Sequence, residues 1–81
     1  MNQNTSFAQA IIRIIFIQIN IYRRNEWSFA QIVPVGNLFY TVYIQQSVSG
    51  EISILVNKKL INFNNFDSVS SEELIKFISE V

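Results

Sequence analysis

Four segments between residues 27 and 63 are rich in β-branched and aromatic residues, and short stretches of turn-forming residues separate them. Such segments are typical of β-strands joined by hairpins. The first ends at Pro34 and Gly36, both of which favour turns. A hairpin loop is predicted at residues 47–50, and a further turn at residues 57–59. The predicted strands are residues 27–33, 38–46, 51–56 and 60–63, the last of them short. The order indicates an antiparallel meander.

The C-terminal segment carries the signature of a short helix over residues 70–81. Ser70 stands where its hydroxyl can accept a hydrogen bond from the backbone N–H three residues later, as an N-cap does. Glu72 and Glu73 follow in the first turn, where negative charge suits the helix dipole. The apolar residues then recur at helical spacing and form one stripe: Leu74, Phe77, Ile78 and Val81.

The N-terminal segment also predicts a helix, but its length is ambiguous. Ser6 and Gln9 have the spacing of a capping box, which places the helix start at Ser6. Polar residues at helical spacing favour one long helix: Gln9, Arg13, Asn20 and Arg24. The alternation of isoleucines from residue 15 to 21, with so many β-branched side chains, slightly favours a strand after about residue 13. Both interpretations of residues 14–23 stay open.

These patterns predict one small two-layer α+β domain over residues 1–81. Its antiparallel meander has three to five strands, with an N-terminal helix and a short C-terminal helix. A chain of ~60 residues buries only about 60% of its unfolded surface, and one of ~150 residues about 70%. A domain of 81 residues therefore needs either a high proportion of hydrophobic residues or a core completed by a partner protein. In this chain 49% of the residues are hydrophobic and only 15% are charged. That balance excludes an intrinsically disordered chain.

The composition argues against an enzyme. The chain contains no histidine and no cysteine, which removes the commonest general base, the commonest metal ligands and the thiol nucleophile. Two isolated glycines cannot form a phosphate-binding loop. Glu72 and Glu73 are explained by their position at a helix start. We therefore expect no catalytic residues, no cofactor and no metal site.

The sequence predicts a cytoplasmic protein without a membrane span. The apolar run at residues 11–22 is interrupted by polar residues and is shorter than the roughly 20 residues that a spanning helix needs. The uncharged start lacks the basic region of a secretory signal. A small domain without cysteine fits a reducing compartment.

Aromatic and basic residues near the predicted strands are the candidate interaction residues. The aromatic ones are Trp27, Phe29, Phe39, Tyr40 and Tyr43, and the basic ones at predicted turns are Arg23, Arg24, Lys58 and Lys59. Exposed aromatic side chains beside basic ones can stack single-stranded nucleic acid. The net charge of zero argues against that use, because phosphate neutralisation supplies most non-specific affinity. Core packing or a protein interface is favoured, and a small-ligand pocket is a third alternative.

The strand at residues 38–46 is apolar on both sides, and this predicts self-association. Its odd-numbered and even-numbered residues face opposite sides, so Tyr40 and Tyr43 point in opposite directions. Two short helices can cover only one side, and soluble monomers seldom expose large apolar patches. The sequence therefore predicts a homodimeric, non-enzymatic interaction module that acts as an inhibitor or adaptor of a larger, unidentified partner protein. The alternative is single-stranded nucleic-acid binding through the aromatic strand face.

Stability should not depend on a bound metal. Without His or Cys, only carboxylate and carbonyl oxygens could bind an ion, and such ligands favour nothing tighter than weak Ca²⁺ or Mg²⁺ binding. We expect the melting temperature, measured by circular dichroism, to be the same with and without EDTA. A marked decrease in EDTA would contradict this prediction.

Overall fold

The sheet is a four-stranded antiparallel meander in which each strand pairs with its neighbour in the chain. The computed structural model describes residues 3–22 and 26–80. Helix α1 (Gln3–Tyr22) precedes the sheet, and helix α2 (Ser71–Ser79) follows it after a 3₁₀ turn at Phe66–Ser68. The strands are β1 (Trp27–Val35), β2 (Leu38–Gln46), β3 (Ile52–Val56) and β4 (Lys59–Phe63). The predicted α+β class, meander and terminal helices are confirmed.

The two tight turns of the meander begin with residues that tolerate a positive φ. The β1–β2 and β3–β4 connections are two-residue loops that begin at Gly36 and Asn57. Both residues have positive φ, 61° and 55°, which primed hairpin turns require at this position. Glycine and asparagine tolerate that region best. The β2–β3 loop is longer, and the Ser47 hydroxyl accepts a hydrogen bond from the Glu51 N–H at 3.2 Å.

Both helices pack on the same face of the sheet and form a single core with it. Each α1 residue of the buried stripe is almost inaccessible to solvent: Ala8, Ile11, Ile15 and Ile19. The inner strands contribute the residues that alternate toward the helices: Val42, Ile44, Ile52, Ile54 and Val56. Helix α2 adds Leu74, Phe77 and Ile78. Fully burying one such side chain contributes about 1.5–3 kcal/mol.

The preference for a strand after residue 13 is wrong, because α1 continues as a helix to Tyr22. Ile11, Ile15 and Ile19 are four residues apart, so a helix presents all three to the sheet, and all are completely buried. Replacing alanine by a β-branched residue lowers helix propensity by at most about 0.7 kcal/mol. Burial of each isoleucine outweighs that penalty. The sheet therefore has four strands rather than five.

Other predicted boundaries also shift. Strand β3 begins at Ile52 and not at residue 51, and α2 ends at Ser79 and not at residue 81. The helix begins at Gln3 and not at Ser6, which lies inside its first turns. Pro34 is not in a turn but belongs to β1, where it pairs with Phe39 of β2. Proline is tolerated there because β1 is an edge strand, so one side of its backbone has no partner strand. Lys59 begins β4 instead of completing the turn before it.

The predicted cap of α2 is confirmed. Ser70 has extended backbone angles, and its hydroxyl accepts a hydrogen bond from the Glu73 N–H at 3.3 Å. Leu74 is buried one residue later, and Val69 packs against the same core from the other side of the cap, as in a hydrophobic staple. The end of the predicted stripe, Val81, lies outside the described residues.

Removal of this cap should weaken the domain. Ser70→Ala deletes the acceptor for the Glu73 N–H, and loss of an N-cap lowers the free energy of unfolding by about 0.5–2 kcal/mol. The measurement is the urea midpoint of the variant against wild type, with Ser70→Asp as the control that retains an acceptor. Equal midpoints for Ser70→Ala and wild type would show that the cap contributes nothing.

Candidate functional site

The sheet has two faces of different character, and only one is covered by the helices. The second face, here called the open face, consists of every other residue of each strand. Eight of its residues on β1 and β2 are exposed: Ser28, Ala30, Ile32, Pro34, Phe39, Thr41, Tyr43 and Gln45. Ser53, Leu55, Leu60 and Asn62 complete it on β3 and β4. Strand alternation and the pairing register place all twelve on the same side.

A continuous apolar row crosses the open face at right angles to the strands. Tyr43 pairs with Ala30 on one side and with Leu55 on the other, and Leu55 pairs with Leu60. Leu60 at the far edge is 58% exposed. Directly paired residues in neighbouring strands have Cβ atoms about 4.5–5.5 Å apart. The four side chains therefore form one apolar row across all four strands.

The apolar surface continues from this row toward the β1–β2 turn. Ile32 is 62% exposed and Phe39 is 72% exposed. The β2 strand pairs with β1 over nine positions but with β3 over only five. The turn end of the β1–β2 hairpin therefore extends beyond the rest of the sheet, and Phe39 lies on this extension.

The open face carries no charged side chain. Next to the apolar row, the register aligns a polar row that is neutral throughout: Ser28, Gln45, Ser53 and Asn62. Among all twelve open-face positions there is no Asp, Glu, Lys or Arg. An uncharged surface can be removed from water without the large penalty that buried charges impose.

A hydrogen-bonded clamp joins the β3–β4 turn to the middle of β2. The Asn57 N–H donates to the Thr41 carbonyl at 2.8 Å, and the Thr41 N–H donates to Asn57 Oδ1 at 3.0 Å. Asn57 thus satisfies both backbone groups of Thr41 at the point where β3 ends. A shallow groove forms beside this clamp, lined by Thr41, Asn57, Lys58 and Lys59.

The structure divides the predicted aromatic cluster between the two faces. Trp27 is buried in the core, and Phe29 packs against that core from β1. Tyr40 is half-buried on the covered side of β2. Only Phe39 and Tyr43 lie on the open face. Trp27 and Phe29 therefore do not join them in a single stacking surface, because their positions in β1 alternate toward the helices.

The structure describes two of the four predicted basic residues. Lys58 and Lys59 are exposed at the β3–β4 turn, beside the groove. Arg23 and Arg24 lie outside the described residues. The described cations near the open face are thus at its edge and not within it.

Sequence reasoning missed the three large aliphatic residues of the open face, Ile32, Leu55 and Leu60. Each occupies a strand whose apolar residues alternate toward both sides, so the exposed member could not be identified from one strand alone. The signal that identifies them is the cross-strand register, which aligns Leu55 with Tyr43 and with Leu60.

The described part of the chain contains no cluster of three or more acidic residues that could hold a metal ion. Glu72 and Glu73 are exposed at the start of α2. No helix among residues 3–22 and 26–80 is long and apolar enough to cross a membrane.

Comparisons with protein-family models, with curated proteins and with solved structures yield no match to this chain. The open face is therefore interpreted from its own chemistry.

The Asn57 clamp can be tested by substitution. Asn57→Ala removes the Oδ1 acceptor, worth about 0.5–1.5 kcal/mol, and leaves in the left-handed region a side chain that, unlike that of Asn, makes no local hydrogen bond to offset a penalty of roughly 1–2 kcal/mol. Asn57→Gly also removes the acceptor, but glycine adopts the left-handed region without that penalty. We expect the urea-derived free energy of unfolding to decrease in the order wild type, Asn57→Gly, Asn57→Ala. Wild-type stability of Asn57→Ala would contradict the role of the clamp.

Proposed function

We propose that this protein is a small non-enzymatic interaction module that self-associates through the open face of its sheet. The observation that carries the proposal is the uncharged apolar row of Ala30, Tyr43, Leu55 and Leu60, which no element of the described chain covers. In this view the assembled protein acts as an inhibitor or adaptor of a larger partner protein. A cytoplasmic location belongs to the same proposal and is based on the absence of cysteine.

The composition of the open face suits a protein interface. The centres of such interfaces are depleted in charged residues and enriched in aromatic ones. Phe39 and Tyr43 supply aromatic surface, and the polar row of Ser28, Gln45, Ser53 and Asn62 supplies neutral hydrogen-bonding groups beside it. The face therefore combines apolar area with groups that do not need a charged partner.

A twofold contact places the same patch of two copies against each other, so any charge in the patch faces a like charge. The open face has no charged residue, and self-association through it therefore brings no like charges together. The Tyr43 side chain lies in the middle of the apolar row, on an inner strand. It is therefore the side chain most completely enclosed when two open faces meet.

The size of the face predicts a weak dimer. Its strands have nine, nine, five and five residues. With a rise of about 3.3 Å per residue and a strand spacing of about 4.8 Å, it covers roughly 450 Å² in projection. Two stacked faces then bring together roughly 900 Å², near the lower limit of specific interfaces at about 1,000–1,200 Å². We expect a dissociation constant in the micromolar range.

Single-stranded nucleic-acid binding is the second candidate function. Phe39 and Tyr43 provide two exposed rings on the open face, and Lys58 and Lys59 flank it near Thr41. Bases stack on such rings, and lysines neutralise phosphates. The absence of any cation within the face disfavours this candidate, because a bound strand would run its phosphates across uncharged surface.

The decisive variant is Tyr43→Asp. It places a carboxylate at the centre of the open face without touching the core, so we expect a folded protein that has lost the open-face contact and whose assembly is smaller than that of wild type. The measurement is light scattering after size exclusion at about 100 μM, well above micromolar dissociation constants. Circular dichroism checks that the variant is folded.

Two variants provide the comparison. Gln31→Asp introduces the same charge at an exposed position of β1 on the other side of the sheet, and it should leave association unchanged. Tyr40→Asp places the charge on the covered side, and it should lower stability instead of dissociating a folded dimer. A wild-type monomer at ~100 μM would contradict self-association. A salt-dependent shift of labelled single-stranded oligonucleotide, lost in Tyr43→Asp, would support the second candidate.

A further inference from the structure

Helix α1 has a second apolar stripe, on the side that the core does not use. Its buried stripe consists of Ala8, Ile11, Ile15 and Ile19. The second, here called the outer stripe, consists of Ala10, Ile14, Ile17 and Ile21. Ile17 is 49% exposed and Ile21 is 62% exposed, while Ile14 is half-buried. A surface helix of a globular domain normally has one apolar stripe and a polar opposite face.

The spacing of the outer stripe is that of a helix–helix seam. Its members are separated by four, three and four residues, which is the alternation of the two apolar positions of a heptad repeat. At about 100° per residue the four side chains fall within an arc of roughly 60°. That arc is centred roughly 135° from the centre of the buried stripe. The outer stripe is thus a narrow seam that faces solvent.

The polar residues beside the seam suit a second copy of the same helix. Arg13 is the one charged residue of α1, and it is exposed next to the outer stripe. If Ile14 and Ile21 occupy heptad position a, Arg13 occupies position g and Gln18 occupies position e. In a parallel pair, a residue at g lies beside the residue at e that is five positions later in the second copy, which here is Gln18. In an antiparallel pair Arg13 meets Asn20 instead. Either arrangement opposes the guanidinium to an amide oxygen and never to a second guanidinium.

A single interface with a second copy cannot cover both the outer stripe and the open face. Helix α1 lies on the covered face of the sheet, so its solvent side and the open face belong to opposite sides of the two-layer domain. The open face alone approaches only the lower limit of specific interfaces, as its projected area of roughly 450 Å² per copy shows. A contact through α1 buries a different apolar surface, which includes Ile17 and Ile21 and which the sheet contact leaves exposed.

We propose that the outer stripe of α1 pairs with α1 of a second copy, as an interface separate from the open face. This inference goes beyond self-association through the sheet, since it uses a different surface and stands if that contact is absent. Two twofold contacts on opposite sides of the domain combine into a tetramer when they close. The wild-type protein should then form an assembly larger than a dimer at high concentration.

The test is the mass of Ile17→Glu compared with wild type. Glutamate is a good helix former, so the variant keeps α1 while placing a charge in the seam. We expect the assembly to lose the helix contact and to fall to a dimer held by the open face. Gln9→Glu is the matched control, because it adds the same charge to an exposed position of the same helix outside the stripe. An unchanged mass for Ile17→Glu would overturn the proposal.

Combination with Tyr43→Asp separates failure of this inference from failure of the proposed function. Tyr43→Asp should remain a dimer through α1, and the double variant should be monomeric. A monomeric Tyr43→Asp overturns the helix contact while leaving the sheet contact intact. A monomeric Ile17→Glu alongside a dimeric Tyr43→Asp supports the helix contact and contradicts the sheet contact.

Cysteine cross-linking gives an independent measurement, because the chain has no cysteine of its own. In a parallel pair Ala10→Cys lies opposite itself and forms a disulfide-linked dimer. In an antiparallel pair it lies opposite residue 21, so cross-linked product forms only when Ala10→Cys and Ile21→Cys are mixed. Absence of cross-linked product from both samples would overturn the α1 contact.

Discussion

The packing of α1 across the inner strands is the interaction on which the rest of the domain depends. Ile11, Ile15 and Ile19 lie on one side of the helix, and all three are completely buried. They meet the residues of β2 and β3 that alternate toward the helices, and α2 closes the same core from beside α1. Because both helices are needed to cover one face of a four-stranded sheet, the other face has no cover from the described chain.

This one-sided arrangement explains the composition of the surface. Strands whose apolar residues alternate toward both sides place half of their side chains on the open face, where Phe39 and Tyr43 meet water. The twelve positions of that face contain no charge, and the described charges lie instead on the helices, in the loops and at the strand ends. Helix α1 repeats the pattern, since its isoleucines supply both a buried and an exposed stripe. Two separate sides of a small domain are therefore suited to association.

Local signals predicted some elements well and others poorly, for identifiable reasons. The bounds of β2 and the Ser70 cap of α2 were predicted correctly, because strand propensity, loop residues and capping chemistry act over a few neighbouring residues. The length of α1 is not predicted correctly, because its isoleucines fit both a helical and an alternating pattern. Burial of Ile15 and Ile19 by distant strands decided between them. The sequence makes Trp27 a candidate interaction residue, whereas its place in β1 turns it into the core.

The sequence by itself determined the class of the fold, the order of its strands and the absence of histidine and cysteine chemistry. Those features follow from residue types and short spacings, which need no knowledge of distant contacts. Only the tertiary structure decided which side of each strand is covered and which residues share the open face. The physical reason is that an apolar side chain looks the same in sequence whether it is buried or exposed. The pairing register and the position of the helices alone distinguish Ile44, in the core, from Tyr43, on the open face.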